Sequence, residues 1–156
     1  WYKWLNEGYR MIATAGTDSH RPPGGKHLGF NHVYANDLTE LDILNAIQQG
    51  HLYVSSGPKL ELVARNQTLE RAMMGDEISG DEVTLSLNWS DCQEGDVLKL
   101  IINGDVATEQ FPAERGLLEW ALPNHAHWCV VEMRNKHGEM QAVTNPIFFG
   151  EEKDWR

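Results

Sequence analysis

Residues 82–89 of the chain, EVTLSLNW, decide the fold that the sequence predicts. Apolar side chains occupy every second position of this stretch, at Val83, Leu85, Leu87 and Trp89. Successive side chains of a β-strand point to opposite faces of the sheet, so strict alternation indicates a strand with one buried face. The stretch therefore predicts a strand that places Trp89 in a hydrophobic core.

Five further stretches after residue 58 have the same β-rich character. They are LELVA (60–64), VLKLIING (97–104), LLEWALP (117–123), HWCVVEMRN (127–135) and AVTNPIFFG (142–150). Turn-forming triplets such as Ser79-Gly80-Asp81 separate them. Short strands at this spacing predict an antiparallel β-sandwich of immunoglobulin-like kind over residues 58–156.

Residues 1–57 show a different order of predicted secondary-structure elements. The sequence predicts, in order, the end of a helix in WYKWLNEG (1–8), a strand covered on both faces in MIATAG (11–16) and a second strand in HVYAN (32–36). A further helix begins at Thr39, where Asp42 completes a loose capping box, and ends at Gly50. This order is typical of β/α architectures. The predicted fold class is α+β, with a strand–helix portion of an α/β barrel or of a doubly wound sheet in front of the sandwich.

Composition and charge limit the classes of partner. The chain has 156 residues, 41% of them apolar, and a formal net charge of −10. An acidic chain without a Lys/Arg cluster is a poor ligand for nucleic acid or an anionic membrane surface, and no run approaches the ~18 apolar residues of a membrane span. Cys92 and Cys129 lack metal-ligand spacing, so we expect free thiols, with a disulfide between neighbouring strands as the alternative.

The candidate chemistry lies at Asp18 and His20, which follow MIATAG at positions i and i+2. In an extended chain both side chains point to one face, and β/α architectures place active sites at the carboxyl ends of strands. Carboxylate and neutral imidazole are ligands for zinc, manganese and iron. For so short a pattern, however, a polar loop in which Asp18 caps a turn is the simpler interpretation.

The other histidines are weaker candidates. His27 and His32 flank the end of a glycine-rich loop, where a surface position is the simpler interpretation. His125 and His127 form an H-x-H pair with no obvious acidic partner, so we expect no metal there. Motifs of nucleophilic catalysis and phosphate-cradling loops are absent from the sequence.

The order of several stretches resembles the last part of a PHP-domain metallohydrolase of the carbaryl-hydrolase-like branch. The stretches are WLNEGYRMIATAGTDSH (4–20), HVYAN (32–36) and ILNAIQQGHLYVSSGP (43–58). The later stretches GPKLELVA, MMGDEI, LKLIINGDV and AVTNPIFFG resemble the β-sandwich that follows the PHP domain in that branch. The resemblance implies that residues 1–57 are the carboxyl-terminal fragment of a distorted β/α barrel and that residues 58–156 are the appended sandwich.

The resemblance also implies a site and a reaction. The last metal-binding motif of the family, D-x-H, coincides with Asp18 and His20, which would ligate divalent ions (Zn, Mn or Fe) that activate water for hydrolysis. Asp18 would also orient that water or accept its proton. The family's earlier H-x-H pair, bridging Glu and further His ligands have no counterpart here, so this chain alone is predicted to bind metal weakly and to be inactive.

Two hypotheses about function remain open at this point. The first is the carboxyl-terminal portion of a metal-dependent hydrolase that acts on a small-molecule phosphoester, carboxylic ester or carbamate. The second is a non-catalytic β-sandwich that docks partners or glycans. In the first, the apolar faces of residues 11–15 and 41–47 would be exposed, which predicts association with the missing amino-terminal PHP segment, with a second copy of the chain or with the sandwich itself.

Overall fold

The computed structural model describes residues 1–16 and 29–150, and in these residues the protein is mostly β. The elements, in chain order, are α1 (Tyr2–Asn6), β1 (Phe30–Val33), α2 (Glu40–Gln49), β2 (Leu52–Ser55), β3 (Lys59–Arg65), β4 (Arg71–Met73), β5 (Glu77–Ile78), β6 (Thr84–Ser90), β7 (Val97–Ile102), β8 (Asp105–Gln110), β9 (Gly116–Ala121), β10 (Trp128–Arg134), β11 (Met140–Thr144) and β12 (Ile147–Phe149).

The strands form two sheets. In sheet A the order is β1-β2-β11-β10-β12-β5, with β7 on the other edge of β10 and β8 beside β7. In sheet B the order is β4-β3-β6-β9. All strand pairs are antiparallel except the short pair of β12 with β5. The two sheets pack face to face in a sandwich-like arrangement, because one core cluster takes side chains from both of them.

Strand β6 supports the core as its sequence predicts. Val83 and the three inward residues of β6 are buried, and Trp89 is only 9% exposed. The indole Nε1 of Trp89 donates to the carbonyl of Ala113 at 2.9 Å, so the polar atom of this buried ring is satisfied. The predicted strand and its phase are confirmed.

Helix α1 covers the outer face of sheet A. Leu5 is buried against Trp128 and Phe148 in a second, smaller cluster. The indole Nε1 of Trp128 donates to Oδ1 of Asn6 at 2.8 Å, and Nδ2 of Asn6 donates to the carbonyl of Asn103 at 2.9 Å. The first residues of the chain are therefore fixed on its last strands.

The contact between α1 and sheet A also includes a buried carboxylate. Glu132 of β10 accepts hydrogen bonds from the Tyr2 hydroxyl and, at 2.7 Å, from Nε of Arg134. Burial, followed by the hydrogen bond to Glu132, raises the pKa of Tyr2. The charge of Glu132 is thus balanced by a cation and a hydroxyl donor, as a buried carboxylate requires.

The predicted fold class, α+β with a portion of a β/α barrel before an immunoglobulin-like sandwich, is wrong. The described residues are mostly β with two antiparallel sheets, and only two helices are found among them. The prediction assumed that a strand–helix–strand order gives parallel strands. Instead β1 and β2, on either side of α2, pair antiparallel, and β2 pairs with β11. The predicted division at residue 57 lies between β2 and β3 and stays a prediction.

Helix α2 begins and ends where the sequence predicts. The Thr39 hydroxyl accepts a hydrogen bond from the Asp42 amide at 3.1 Å, and Gly50 ends the helix with φ +79°. Its apolar face is only partly covered, since Leu41 is 69% exposed and Leu44 is 50% exposed. Within residues 1–16 and 29–150, neither helix has the length and hydropathy needed to cross a bilayer.

Candidate functional site

The segment that leads to the predicted metal ligands is held by side-chain amides. The amide N–H of Ala13 donates to Oδ1 of Asn145 at 2.7 Å, and Nδ2 of Asn145 donates to the Ala13 carbonyl at 3.0 Å. Asn31 makes the same two contacts with Ala15, at 2.7 and 3.3 Å. The two asparagines bond alternate residues on one side of residues 11–16, as a neighbouring strand does in a sheet.

This bonding explains why MIATAG is not a strand in the structure. A strand requires a backbone ladder, and the partners of Ala13 and Ala15 are side chains. Asn145 lies between β11 and β12, is 1% exposed, and also donates to the carbonyl of Leu52 at 3.1 Å. One buried amide therefore joins residue 13, strand β2 and the β11–β12 turn.

Arg10 fixes the other end of the segment. Its guanidinium donates to the Gly75 carbonyl at 2.7 Å and to the Glu77 carboxylate at 3.3 Å, and lies 4.6 Å from the centre of the Phe148 ring. We call residues 10–16 the anchored segment. It is fixed at Arg10, Ala13 and Ala15 by contacts with distant parts of the chain.

The predicted ligands Asp18 and His20 lie outside the described residues, and so does His27. Their assignment as metal ligands, and that of Asp18 as a catalytic residue, stays a prediction. The anchored segment ends two residues before Asp18. Among residues 1–16 and 29–150, no three His, Cys, Asp or Glu side chains are grouped so that they could hold a metal ion.

A histidine–carboxylate pair lies close to the anchored segment. Nε2 of His51 is 2.6 Å from Oδ1 of Asp76, and Oδ2 of Asp76 accepts from the Met73 amide at 2.9 Å. The pair joins the α2–β2 connection to the β4–β5 turn. Here the backbones pack closely: a Cβ at Gly75, where φ is +92°, would lie 2.1 Å from the carbonyl oxygen of Gln49. No local sequence pattern indicates this pair, because 25 residues separate its members.

Three further described histidines have other contacts. The ring of His32 stacks on that of Tyr53, with 4.6 Å between the ring centres. The carbonyl of His125 and the amide of His127 are both bonded by the side chain of Asn103. These backbone contacts shape the turn before β10 around Asn103.

An aromatic cleft opens where the two sheets meet, and no local sequence pattern predicts it. Its volume is about 290 Å³, and its lining includes Tyr34, Tyr53, Lys59, Glu61, Asn88 and Trp89. The Tyr34 hydroxyl donates to the Leu60 carbonyl at 2.9 Å. Burial raises the pKa of both tyrosines above the ordinary value of 10.0, at which a phenol is already neutral at physiological pH. Tyr34, just after β1, and Tyr53 of β2 meet sheet B here.

Both cysteines are buried and free. Burial raises the pKa of the Cys92 thiol from its ordinary value of 9.0 to about 12, and burial also raises that of Cys129. Thiols of this kind are poor nucleophiles at neutral pH.

Comparison with known proteins adds no family to this description: no protein-family profile, curated protein sequence or solved structure matches the chain.

Proposed function

We propose that this chain is the carboxyl-terminal portion of a metal-dependent hydrolase of PHP type, in which Asp18 and His20 ligate divalent metal. The supporting observation is the anchored segment. Asn145 and Asn31 bond the backbone of Ala13 and Ala15 shortly before the D-x-H motif, and the Arg10 side chain binds the Gly75 carbonyl. A metal site requires well-positioned ligands, and the described segment that leads toward Asp18 and His20 is held at Ala13 and Ala15 by distant side chains.

The ligand types of Asp18 and His20 fit zinc, manganese or iron. Two ligands are too few, however, to form a complete metal site. Asp18 supplies a carboxylate and His20 a neutral imidazole, whereas a zinc site usually has at least three protein ligands. The described residues add no group of three donors. The family's other ligands have no counterpart in this sequence, so in this proposal they come from polypeptide outside this chain.

In this proposal the residues of the chain have distinct roles. Bound divalent ions would activate water and stabilise negative charge on a small phosphoester, carboxylic ester or carbamate. Asp18 would hold one ion and orient the attacking water by accepting a hydrogen bond from it. His20 would coordinate as a neutral imidazole, so its contribution is lost when it is protonated at acidic pH.

Metal titration of the chain tests this assignment. We expect weak, saturable binding of ZnCl₂ and MnCl₂ by calorimetry, lost in Asp18→Ala and in His20→Ala. His137→Ala is the matched control, because His137 lies in the exposed turn between β10 and β11 and should leave binding unchanged. Unchanged binding in the Asp18→Ala/His20→Ala double variant would contradict the proposal. We expect no hydrolysis of bis(4-nitrophenyl) phosphate by this chain alone.

The aromatic cleft favours a second candidate function, a β-sandwich that binds glycans. Aromatic rings stack on the apolar faces of sugars, and the Lys59, Glu61 and Asn88 side chains supply polar groups for hydroxyls. Titration with cellohexaose, followed by tryptophan fluorescence, tests it. We expect cellohexaose to change the tryptophan fluorescence. Tyr34→Ala should reduce this change. Phe111→Ala should not, because Phe111 is an exposed aromatic residue elsewhere on the surface. An unchanged spectrum at millimolar sugar would exclude this function.

A further inference from the structure

The anchored segment has one bonded side and one open side. Ala13 and Ala15 direct their N–H and C=O groups toward Asn145 and Asn31. In an extended backbone the residues between them direct theirs the opposite way. Among the described residues, the backbone groups of Ile12, Thr14 and Gly16 have no hydrogen-bond partner. Thr14 and Gly16 are also exposed to solvent.

Residues 11–16 lack two of the features that normally protect a free strand edge, charged side chains and proline. Natural proteins protect such edges with lysine, proline, bulges or a covering loop, because unpaired backbone groups are a template for another strand. The sequence MIATAG (11–16) contains no charged residue and no proline. The small side chains from Ala13 to Gly16 leave the backbone accessible.

We propose that two copies of this chain pair antiparallel along residues 12–16, around a two-fold axis at Thr14. In this register Thr14 faces Thr14 and Ile12 faces Gly16, and both members of each pair exchange N–H···O bonds. Ala13 of one copy then lies opposite Ala15 of the other, in a pair without mutual hydrogen bonds. This is consistent with the bonds that both alanines make to asparagine side chains on the opposite side of the segment.

A second copy fits this edge for two reasons. A two-fold contact requires a self-complementary surface, and a short edge with donors and acceptors at alternate residues is complementary to itself in the antiparallel sense. The edge is uncharged, so pairing brings no like charges into direct contact although the chain carries −10 overall. Beside it, Met11 is 39% exposed and Phe30 is 59% exposed, which adds apolar surface to the contact.

Sedimentation of the full chain tests the proposal. We expect the mass to rise with concentration from 17.7 kDa to twice that value. Thr14→Pro should stay at 17.7 kDa, because proline has no N–H to donate. The Thr14 amide has no partner among the described residues, so this change removes no internal hydrogen bond found in the structure. Thr14→Ala, which keeps the backbone groups, should dimerise like the natural chain.

Amide hydrogen exchange of the natural chain gives a second measurement that does not depend on the folding of any variant. Dimerisation should slow exchange at Ile12, Thr14 and Gly16 as concentration rises, and should leave Ala13 and Ala15 slow throughout. A chain that keeps a mass of 17.7 kDa up to several hundred micromolar overturns the proposal. A dimer in which the Thr14 amide exchanges as fast as in the monomer overturns it too. The metal proposal does not enter these outcomes.

Discussion

At the scale of single residues, Asn145 makes more structural contacts than its position between two strands suggests. Its side chain bonds both backbone groups of Ala13 and the carbonyl of Leu52, and it is almost completely buried. No sequence pattern indicates this role, since Asn145-Pro146 has the form of an ordinary turn. The contact with Ala13 spans 132 residues, and local spacing carries no information over that distance.

We expect Asn145→Ala to lower the free energy of unfolding by about 2–4 kcal/mol, because it leaves up to three backbone groups without a partner in the interior. Urea denaturation measures the change. Asn88→Ala is the matched control: Asn88 is exposed and its amide reaches Glu61 only at 3.5 Å, so the expected change is within about 0.5 kcal/mol. Equal effects of the two substitutions would contradict the role assigned to Asn145.

At the scale of the element, strand β6 and the anchored segment show what local sequence can predict. The phase of β6 follows from alternation alone, because each side chain faces one or the other side of the sheet whatever its neighbours are. MIATAG has an equally good strand composition, yet its bonds go to Asn31 and Asn145. Whether an extended segment becomes a strand depends on what lies beside it, and that is decided by distant residues.

We expect Trp89→Ala to cost about 3–5 kcal/mol, because the ring is buried and the cavity left behind cannot close completely. The measurement is again urea denaturation. Trp4→Ala provides the control at a half-exposed tryptophan and should cost much less. A fluorescence spectrum in which Trp89 behaves as a solvent-exposed indole would contradict the phase of β6.

At the scale of the whole molecule, the elements after residue 58 were predicted better than those of residues 1–57. The predicted stretches after residue 58 correspond to observed strands, with AVTNPIFFG divided into β11 and β12. Residues 1–57 were assigned to a separate barrel because the order of strands and helices does not show whether two strands run parallel or antiparallel. The ladders of β1 with β2 and of β2 with β11 place these residues in sheet A. The candidate metal ligands were predicted from their spacing and the family resemblance alone, and the aromatic cleft was not predicted.

We expect the protein to lose stability in alkali. The folded state raises the pKa of Cys92 from 9.0 to about 12, so above pH 9 the folded chain holds a proton that the unfolded chain releases. The stabilisation is complete below pH 9 and declines as pH rises toward 12. The free energy of unfolding, measured in urea at a series of pH values, should fall less steeply over this range in Cys92→Ala. Identical slopes in both proteins would contradict the assignment.

The docking of α1 on sheet A has a consequence for biosynthesis. Leu5 and Asn6 contact Trp128, and Tyr2 bonds Glu132, so the surface that receives the helix is translated more than a hundred residues later. Contacts between such distant residues are slow to form. On the ribosome, α1 therefore stays undocked, with the apolar side chain of Leu5 exposed, until β10 has emerged.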